Sequence, residues 1–330
     1  MKIKNCLLIV FWFFTLAVMG NLNAQEAVQP VHDVEVRVFL IDVEGVDTVS
    51  QSFTANLIIV MRWRDPGLAH ENPTSLNMPL DDIWYPRIQI INQQNLTLTL
   101  PKSAEVLPDG EVVYRQRFWG SFSQPLDLQA FPFDSQSLKI TLANVGFGGE
   151  FVKLTPSPNS GISESLSMPD WVVTGWDFIV TSFPIEDESS PIQGMIFSLD
   201  VQRDKSYFKF KVIFPLVLIV MMSWLVFWID PTLIASQISV SVTAMLTIIA
   251  YRFALAGMVP RLAFLTSLDY FVMVSNLIVF LAMIEVVYTA YLSTNGQLEK
   301  ARKVDRNMRW IAPLIYFVVV TEILFLRIWV

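Results

Sequence analysis

Residues Ile234–Gly257 read IASQISVSVTAMLTIIAYRFALAG, a stretch long enough to cross a bilayer as one helix. Steps of three and four residues place six side chains on one face of that helix: Ser236, Ser239, Thr243, Leu246, Ala250 and Phe253. Polar side chains at membrane depth face a protein interior or a water-filled cavity. Small hydroxyls that lead to bulky apolar side chains are what an ion pore with a dewetting gate requires. The pattern predicts a pore-lining helix; the alternative is a helix buried in a bundle whose hydroxyls bond back to its own carbonyls.

The composition indicates an integral membrane protein. The chain has 330 residues, 53% of them hydrophobic, and the apolar residues are concentrated after residue 207. Residues 25–206 instead alternate polar and apolar side chains, as a water-exposed domain does. The formal net charge of −7 excludes nucleic acid as a partner. The lipid bilayer is the predicted environment of the second half.

The first 24 residues have the features of a secretory signal peptide. Lys2 and Lys4 precede the apolar run Leu7–Met19, and a small-residue cleavage site precedes Gln25. An uncleaved anchor helix is the alternative, although the apolar run is short for a membrane span. The only cysteine, Cys6, falls within this segment, so the mature chain is predicted to have no disulfide. With two histidines and no zinc-ligand spacing, no metal site and no cofactor are predicted.

Four apolar segments of spanning length follow, at residues 208–229, 234–257, 265–292 and 310–329. Residues 294–309 are predicted to form a short loop that carries five basic side chains: Lys300, Arg302, Lys303, Arg306 and Arg309. The positive-inside rule places this loop in the cytoplasm, and four spans then place the N-terminal domain and the C-terminus on the outer side. The signal peptide predicts the same orientation independently.

The exported half has the pattern of a β-protein. Val34–Ile41 and Leu96–Leu100 alternate apolar and polar residues, as half-buried strands do. Further strand candidates are separated by clusters of turn residues such as Pro108-Asp109-Gly110. Many short strands at such spacing predict a β-sandwich.

Several short motifs follow one another along the chain: Trp63-x-Asp65-x-x-Leu68, Trp84-x-Pro86, Phe131-Pro132-Phe133-Asp134, Arg203, Pro215 and Pro260-Arg261-Leu262. Together with an exported β-sandwich and four membrane helices, they resemble the pentameric ligand-gated ion channels of the Cys-loop receptor superfamily. Gln124 and Leu138 stand where the eukaryotic members have their two cysteines. The short loop before the last helix looks like that of the prokaryotic members, so the resemblance is to a bacterial member without the disulfide.

The resemblance implies an extracellular immunoglobulin-like β-sandwich at residues 25–206 and a four-helix transmembrane domain at residues 207–330. It implies a homopentamer around a central pore in a bacterial inner membrane, with the N-terminal domain and the C-terminus on the periplasmic side. The expected partners are four identical subunits, permeating monovalent ions and an agonist that is a small molecule, a proton or hydroxide. The chain shows no acid, base and nucleophile grouping, so it is not expected to be an enzyme. A non-conducting, membrane-anchored β-sandwich sensor is the alternative.

The resemblance also implies an ion pair at the membrane-facing end of the sandwich. Asp134 and Arg203 are its expected members, and Asp47 is a candidate third. The alternative is that these are ordinary solvated turn charges, which contribute under about 1 kcal/mol each. As a coupling pair, they are expected to let Arg203→Ala assemble normally while gating is lost.

A second coupling contact is expected from the apolar Pro132 and Phe133. These side chains are predicted to press on the loop between the second and third helices, which contains Pro260, Arg261 and Leu262. A ligand that favours one arrangement of the sandwich could then tilt the pore helices.

The ligand of the family sits between neighbouring sandwiches. The matching positions on one face are Ile91, Asn92, Val145, Phe147 and Phe183, and Ile58 belongs to the adjacent subunit's face. Amine-binding members enclose a cation in aromatic side chains, whereas isoleucine occupies positions 58 and 91 here. An acetylcholine-like cage is therefore not predicted. Phe147 and Phe183 are ligand candidates, with packing in the core as the alternative.

The charge selectivity is predicted from the mouth of the second helix. Ala235-Ser236-Gln237 matches neither the acidic ring of cation-selective relatives nor the Pro-Ala-Arg of anion-selective ones, and the nearest acid is Asp230. The linker length before the helix is nearer that of the anion-selective members. The acidic exported half favours cations by electrostatic focusing, so cation conduction is the prediction and anion conduction the alternative.

For a pH response, Glu285 is an intramembrane candidate, with a helix-packing hydrogen bond or ion pair as the alternative.

Overall fold

The computed structural model describes residues 32–146, 152–183, 192–255 and 262–326. Over these ranges the chain forms a β-domain that ends at Arg203 and a helical domain that begins at Ser206. The predicted fold class, a β-sandwich followed by membrane helices, is confirmed. The predicted signal peptide at residues 1–24 lies outside the described residues.

The described part of the β-domain contains twelve strands and two short 3-10 helices. The strands are β1 His32–Asp47, β2 Ser52–Arg64, β3 Leu76–Pro79, β4 Ile88–Ile90, β5 Gln93–Leu98, β6 Ser103–Val106, β7 Glu111–Ser123, β8 Ser135–Asn144, β9 Val152–Pro156, β10 Gly161–Ile162, β11 Trp171–Phe183 and β12 Ile192–Arg203. The 3-10 helices are Pro66–Leu68 and Leu80–Asp82.

The strands form two sheets around a shared apolar core. One sheet has the order β10-β1-β2-β7-β6-β3, with β5 also on β7 and β9 also on β1, and the other has the order β11-β12-β8-β4. The predicted alternation in β1 is confirmed, because Val34, Val36, Val38 and Leu40 are all buried. Each such burial contributes about 1.5–3 kcal/mol of transfer free energy.

One close approach within the first sheet requires glycine. Gly120 of β7 has φ +153°, and a Cβ at this position would overlap the carbonyl group of Asn95 in β5. Any larger residue would push β5 away from β7, so this glycine lets a second strand pair with the same stretch of β7.

The described part of the helical domain has four segments. They are α1 Ser206–Trp228, which includes a π-helical turn at Lys209–Ile213 and a 3-10 end at Leu225–Trp228, α2 Ile234–Leu255, α3 Ser267–Thr294 and α4 Leu298–Leu326. Helix α2 packs against α1 and α3, and α3 packs against α4. Among the described residues, α1, α2 and α3 are long and apolar enough to cross a membrane. The fourth predicted span, at 310–329, runs past the last described residue and stays a prediction.

The predicted loop at 294–309 is wrong. Only residues 295–297 connect α3 and α4, and α4 begins at Leu298. The hydropathy pattern treated the charged stretch as a break between spans, but Glu, Lys, Ala and Arg are strong helix formers. Ala301 and Asp305, four residues apart, are both buried and thus turn one face of this charged segment toward the other helices.

Candidate functional site: pore face and domain junction

The six predicted pore-lining residues lie on one exposed face of α2. Ser236, Ser239, Thr243 and Ala250 are exposed, as are Leu246 and Phe253. The two bulky side chains are the most accessible, at 62% for Leu246 and 77% for Phe253. The hydroxyls occupy the first half of this face and the bulky apolar groups the second half.

The opposite face of α2 is buried against the other helices. Its buried residues are Gln237, Ser241, Ala244, Ile248 and Leu255. The buried hydroxyl of Ser241 donates to the Gln237 carbonyl at 3.0 Å, which satisfies it within its own helix. This serine was not singled out from the sequence, although its position two residues from Ser239, about 200° around a helix, already places it on the opposite face.

The hydroxyls of the exposed face also bond to their own backbone. Thr243 Oγ1 donates to the Ser239 carbonyl at 2.7 Å, and Thr247 Oγ1 donates to the Thr243 carbonyl at 2.8 Å. This is the back-bonding of the alternative interpretation, but Thr243 is exposed rather than buried. Each hydroxyl oxygen keeps acceptor capacity that points away from the helix.

The acid nearest to the start of α2 is paired with a base. Asp230 Oδ2 lies 3.2 Å from an Arg302 guanidinium nitrogen of α4, and its other oxygen accepts from the Thr232 backbone N–H at 3.0 Å. That backbone hydrogen bond lowers the pKa of Asp230, with Arg302 contributing in the same direction. Its charge is therefore largely balanced, so Asp230 does not by itself supply an acidic ring at the mouth.

Asp134 and Arg203 form a two-bond ion pair where the β-domain meets the helices. Arg203 Nε donates to Asp134 Oδ1 at 2.8 Å, and Arg203 Nη2 donates to Oδ2 at 3.1 Å. Gln136 Nε2 adds a third hydrogen bond to Oδ2 at 2.9 Å. Both members of the pair are buried, so they are not solvated turn charges. Two parallel bonds to one carboxylate fix the orientation of both side chains.

Two aromatic rings enclose the guanidinium of Arg203. Its central carbon lies 4.2 Å from the ring centroid of Trp171 and 4.9 Å from that of Phe131. Phe131 also packs edge-on against Phe208 of α1, at 5.1 Å between ring centroids. Sequence reasoning missed Trp171, because nothing in the local pattern at the start of β11 distinguishes this tryptophan from a core residue.

The loop before Asp134 caps helix α3. The first backbone N–H groups of a helix have no partner within it. In α3, the Ser267 N–H donates to the Gln129 carbonyl at 3.0 Å and the Leu268 N–H donates to the Phe131 carbonyl at 3.2 Å. Thr266 and Asp269 satisfy two more groups through a capping box. The β-domain thus holds the start of α3 by main-chain bonds.

This main-chain contact is a different one from the predicted contact of Pro132 and Phe133 with residues 260–262, which stays a prediction. Pro132 is buried and Phe133 half-buried, while the contact to α3 uses the backbone of residues 129 and 131. Leu262 is half-buried and packs against the core, and Pro260 and Arg261 lie outside the described residues. The apolar side chains of the motif suggested a side-chain contact. The contact with α3 uses backbone carbonyl groups, which every residue has, so no sequence motif identifies it.

Asp47 does not join the Asp134–Arg203 pair. Its Oδ1 accepts from the backbone N–H groups of Val49 at 2.8 Å and Ser50 at 3.2 Å. Hydrogen bonds from Ser50 lower the pKa of Asp47. Its carboxylate therefore stabilises the β1–β2 turn, and a role in coupling stays a prediction.

The ligand candidates divide between the two sheets. Ile91 follows β4 and Val145 follows β8, next to opposite ends of β4 in the second sheet, and Phe183 ends β11 in the same sheet. Ile58 lies in β2 of the first sheet. Within one chain, the candidates of the first-named face and Ile58 therefore lie on different sheets. Phe147 lies outside the described residues.

Two of these candidates have structural contacts. The Asn92 amide donates to the carbonyls of Ser123 and Lys139, at 3.1 and 2.7 Å, and its oxygen accepts from the Thr141 N–H at 3.0 Å. Its side chain thus ties β8 to the end of β7, and its contact with a ligand stays a prediction. The half-buried Phe183 ring packs so closely on Gly194 of β12 that a Cβ there would overlap it, and its role as a ligand residue stays a prediction.

The fold and the site together define a class of protein: a membrane channel whose β-sandwich contacts the helices next to its candidate pore face. Comparison with known families agrees. A model described as "Neurotransmitter-gated ion-channel ligand binding domain" matches residues 21–204, and one described as "Neurotransmitter-gated ion-channel transmembrane region" matches residues 212–301. The chain belongs to the neurotransmitter-gated ion-channel family, the Cys-loop pentameric channels, and the predicted resemblance is confirmed. The family consists of ion channels, so the chain is not an enzyme.

Individual relatives are distant. The chain is 26% identical over 296 residues to the proton-gated ion channel of Gloeobacter violaceus, covering 86% of this chain and 80% of that protein. It is 25% identical over 270 residues to the mouse gamma-aminobutyric acid receptor subunit theta, covering 78% of this chain and 42% of the subunit. For the human rho-2 subunit the identity is 26% over 279 residues, with 80% and 59% covered. The chain thus spans less than two thirds of either receptor subunit.

Proposed function

We propose that five copies of this chain form a ligand- or pH-gated channel for monovalent cations in a bacterial inner membrane. The proposal rests on the difference between the two faces of α2. Ser239 and Thr243 are exposed, whereas Ser241, on the same helix, is buried. A hydroxyl-bearing face is costly against lipid and suited to water, so its natural position is around a shared axis.

A pair of cysteine variants tests the facing of α2. Ser239→Cys and Ser241→Cys make the same change on opposite faces, and a background with Cys6 replaced has no other cysteine. A water-soluble, charged thiol reagent is expected to reduce the current through Ser239→Cys channels and to leave Ser241→Cys channels unchanged. Block of Ser241→Cys alone would reverse the assignment of the pore face. Channels that conduct but resist the reagent at both positions would place the pore elsewhere.

The resting gate is proposed at the bulky half of the face, at Leu246 or Phe253. A ring of five large apolar side chains can interrupt a water column without a charged barrier. Leu246→Ser is expected to increase the agonist-free current. Leu281→Ser, on an exposed position of α3, is the matched control and is expected to leave that current unchanged. An unaltered agonist-free current in Leu246→Ser would remove Leu246 as the gate.

Cation selectivity is supported by the charge distribution. Residues 236–250 contain no charged side chain, and acidic residues outnumber basic ones in the β-domain, which concentrates cations at the entrance. The anion-selective alternative draws on the linker before α2 and on the paired state of Asp230. Reversal potentials under a sodium chloride gradient decide between them, since a shift toward the chloride potential establishes the alternative.

The agonist site is proposed between adjacent β-domains. Ile91, Val145 and Phe183 on the second sheet would face Ile58 of the neighbouring subunit, and this placement agrees with their separation on two sheets of one chain. The agonist is a small molecule, a proton or hydroxide. A screen of bath pH and small amines on the expressed channel identifies it, with Ile58→Trp expected to shift the half-maximal concentration of a small-molecule agonist more than that of a proton.

The proposed orientation places the β-domain and the C-terminus in the periplasm. The five basic residues between Lys300 and Arg309 lie at the start of α4, at the end of the helices away from the β-domain. Such a basic cluster next to a span favours the cytoplasmic side. The Asp134–Arg203 pair and the cap on α3 would then transmit movements of the periplasmic β-domain to the membrane helices.

A further inference from the structure

One pair of carboxyl groups lies apart from the pore face and the domain junction. Glu285 of α3 is 9% exposed and Asp305 of α4 is 1% exposed, and the two carboxyl groups contact each other. Gln237, in the first turn of α2, is fully buried beside them. Three helices therefore meet at a buried set of polar side chains.

The hydrogen bonds of this set do not account for all its oxygens. Gln237 Nε2 donates to Asp305 Oδ2 at 3.3 Å and to the Ile229 carbonyl at 3.0 Å. No donor within the described chain reaches either oxygen of Glu285, Oδ1 of Asp305 or Oε1 of Gln237. Two ionised carboxylates have no hydrogen to donate, so they can bond to each other only if one of them carries a proton.

The charges that surround the pair do not replace that proton. On α4, Arg309 is the positive charge that acts on Asp305, but its Nε donates to a backbone carbonyl of α1 at 2.8 Å. Before α2, Asp230 adds a like charge and is itself paired with Arg302. Within the described residues, neither Glu285 nor Asp305 forms an ion pair. Two adjoining buried acids without a cation cannot both ionise easily.

We propose that Glu285 and Asp305 share one proton, and that this proton joins α3 to α4 and, through Gln237, to the first turn of the pore-lining helix. With the proton present, one carboxyl donates to the other. After its release, two like charges adjoin in a site that excludes water, and the helices are driven apart. The pair is thus a proton-binding site at the end of the helical domain away from the β-domain, separate from the proposed agonist site.

Thermal unfolding of the intact detergent-solubilised protein tests the proposal. A proton bound in the folded state and released on unfolding makes stability fall as pH rises. Glu285→Gln supplies a permanent N–H donor to Asp305 and removes the titration. Between about pH 6 and about pH 9, the melting temperature of the wild type is expected to fall by on the order of 5 °C more than that of Glu285→Gln.

Two further variants make the comparison specific. Asp305→Asn also leaves one donor and one acceptor in the pair, and it is expected to lose the same pH dependence as Glu285→Gln. Glu299→Gln removes a carboxylate from the same helix as Asp305, but this side chain is 90% exposed. It is expected to follow the wild type. Parallel pH profiles for all four proteins would overturn the proposal.

Infrared difference spectra provide a readout that does not depend on a variant folding. The wild type titrated across the same range is expected to show the carbonyl stretch of a protonated carboxyl that disappears as pH rises, and Glu285→Gln lacks this band wherever it folds. Absence of the band in the wild type would show that no proton is shared. Neither readout requires current, so failure of the channel proposal and failure of this one are distinguishable.

Discussion

A buried carboxylate lies near each end of the helical domain, one contributed by the β-domain and the other by α4, and the two have different partners. At the junction with the β-domain, Asp134 faces the guanidinium of Arg203 and accepts three hydrogen bonds. At the far end, Asp305 faces a second acid, Glu285, and accepts one from Gln237. Burial is similar at both sites. The partner, rather than the burial, makes the first contact permanent and the second dependent on a proton.

The largest effect is expected from removing the cation of the first pair. Arg203→Ala leaves Asp134 buried without its partner, which costs about 3–5 kcal/mol of folding free energy. The sequence alone predicted that this variant would assemble normally, and the burial of both members of the pair changes that prediction. Size-exclusion chromatography of the solubilised protein is expected to show loss of the oligomer, and thermal unfolding a large drop.

A second variant separates stability from coupling at this junction. In Asp134→Asn/Arg203→Gln both charges are removed together, so no charge is left buried without a partner. This double variant is expected to recover most of the oligomer while its agonist response stays impaired. A double variant as unstable as Arg203→Ala would mean that shape, not charge, determines the stability of the junction.

The sequence predicted the Asp134–Arg203 pair better than the Glu285–Asp305 pair. Asp134 and Arg203 were found through motifs that resemble a known family. Helix α2 was found because its hydroxyl side chains recur at steps of three and four residues. Glu285 stood out as an acid within an apolar segment, but Asp305 fell in a stretch interpreted as a loop. Once that stretch is helical, Asp305 turns inward toward Glu285. Long-range contacts such as Trp171 on Arg203 leave no local pattern, so only the folded chain shows them.

An intermediate effect is expected at the acid–acid site. Gln237→Leu introduces an apolar side chain of similar size and removes the donor to Asp305 and to the Ile229 carbonyl. Loss of these two hydrogen bonds inside the protein is expected to cost about 1–3 kcal/mol. Ser241→Ala removes a buried hydroxyl that, within the described residues, bonds to its own helix; it is the matched control and is expected to change stability by about a few tenths of a kcal/mol. Equal melting temperatures for Gln237→Leu and the wild type would show that Gln237 does not stabilise the pair.

The smallest effect is expected where an acid and a cation meet in solvent. Glu105 and Arg115 are 2.8 Å apart on the surface of the first sheet, and the hydrogen bond from Arg115 lowers the pKa of Glu105. An acid with a lowered pKa stabilises the fold above its unfolded pKa, and this contribution is lost as pH falls through the folded value. Arg115→Ala is therefore expected to cost under about 1 kcal/mol at neutral pH and less in acid, measured by thermal unfolding at both. A loss as large as that of Arg203→Ala would mean that an acid–cation pair is equally strong in solvent and in the interior, and the contrast between the two ends of the helical domain would then need another cause.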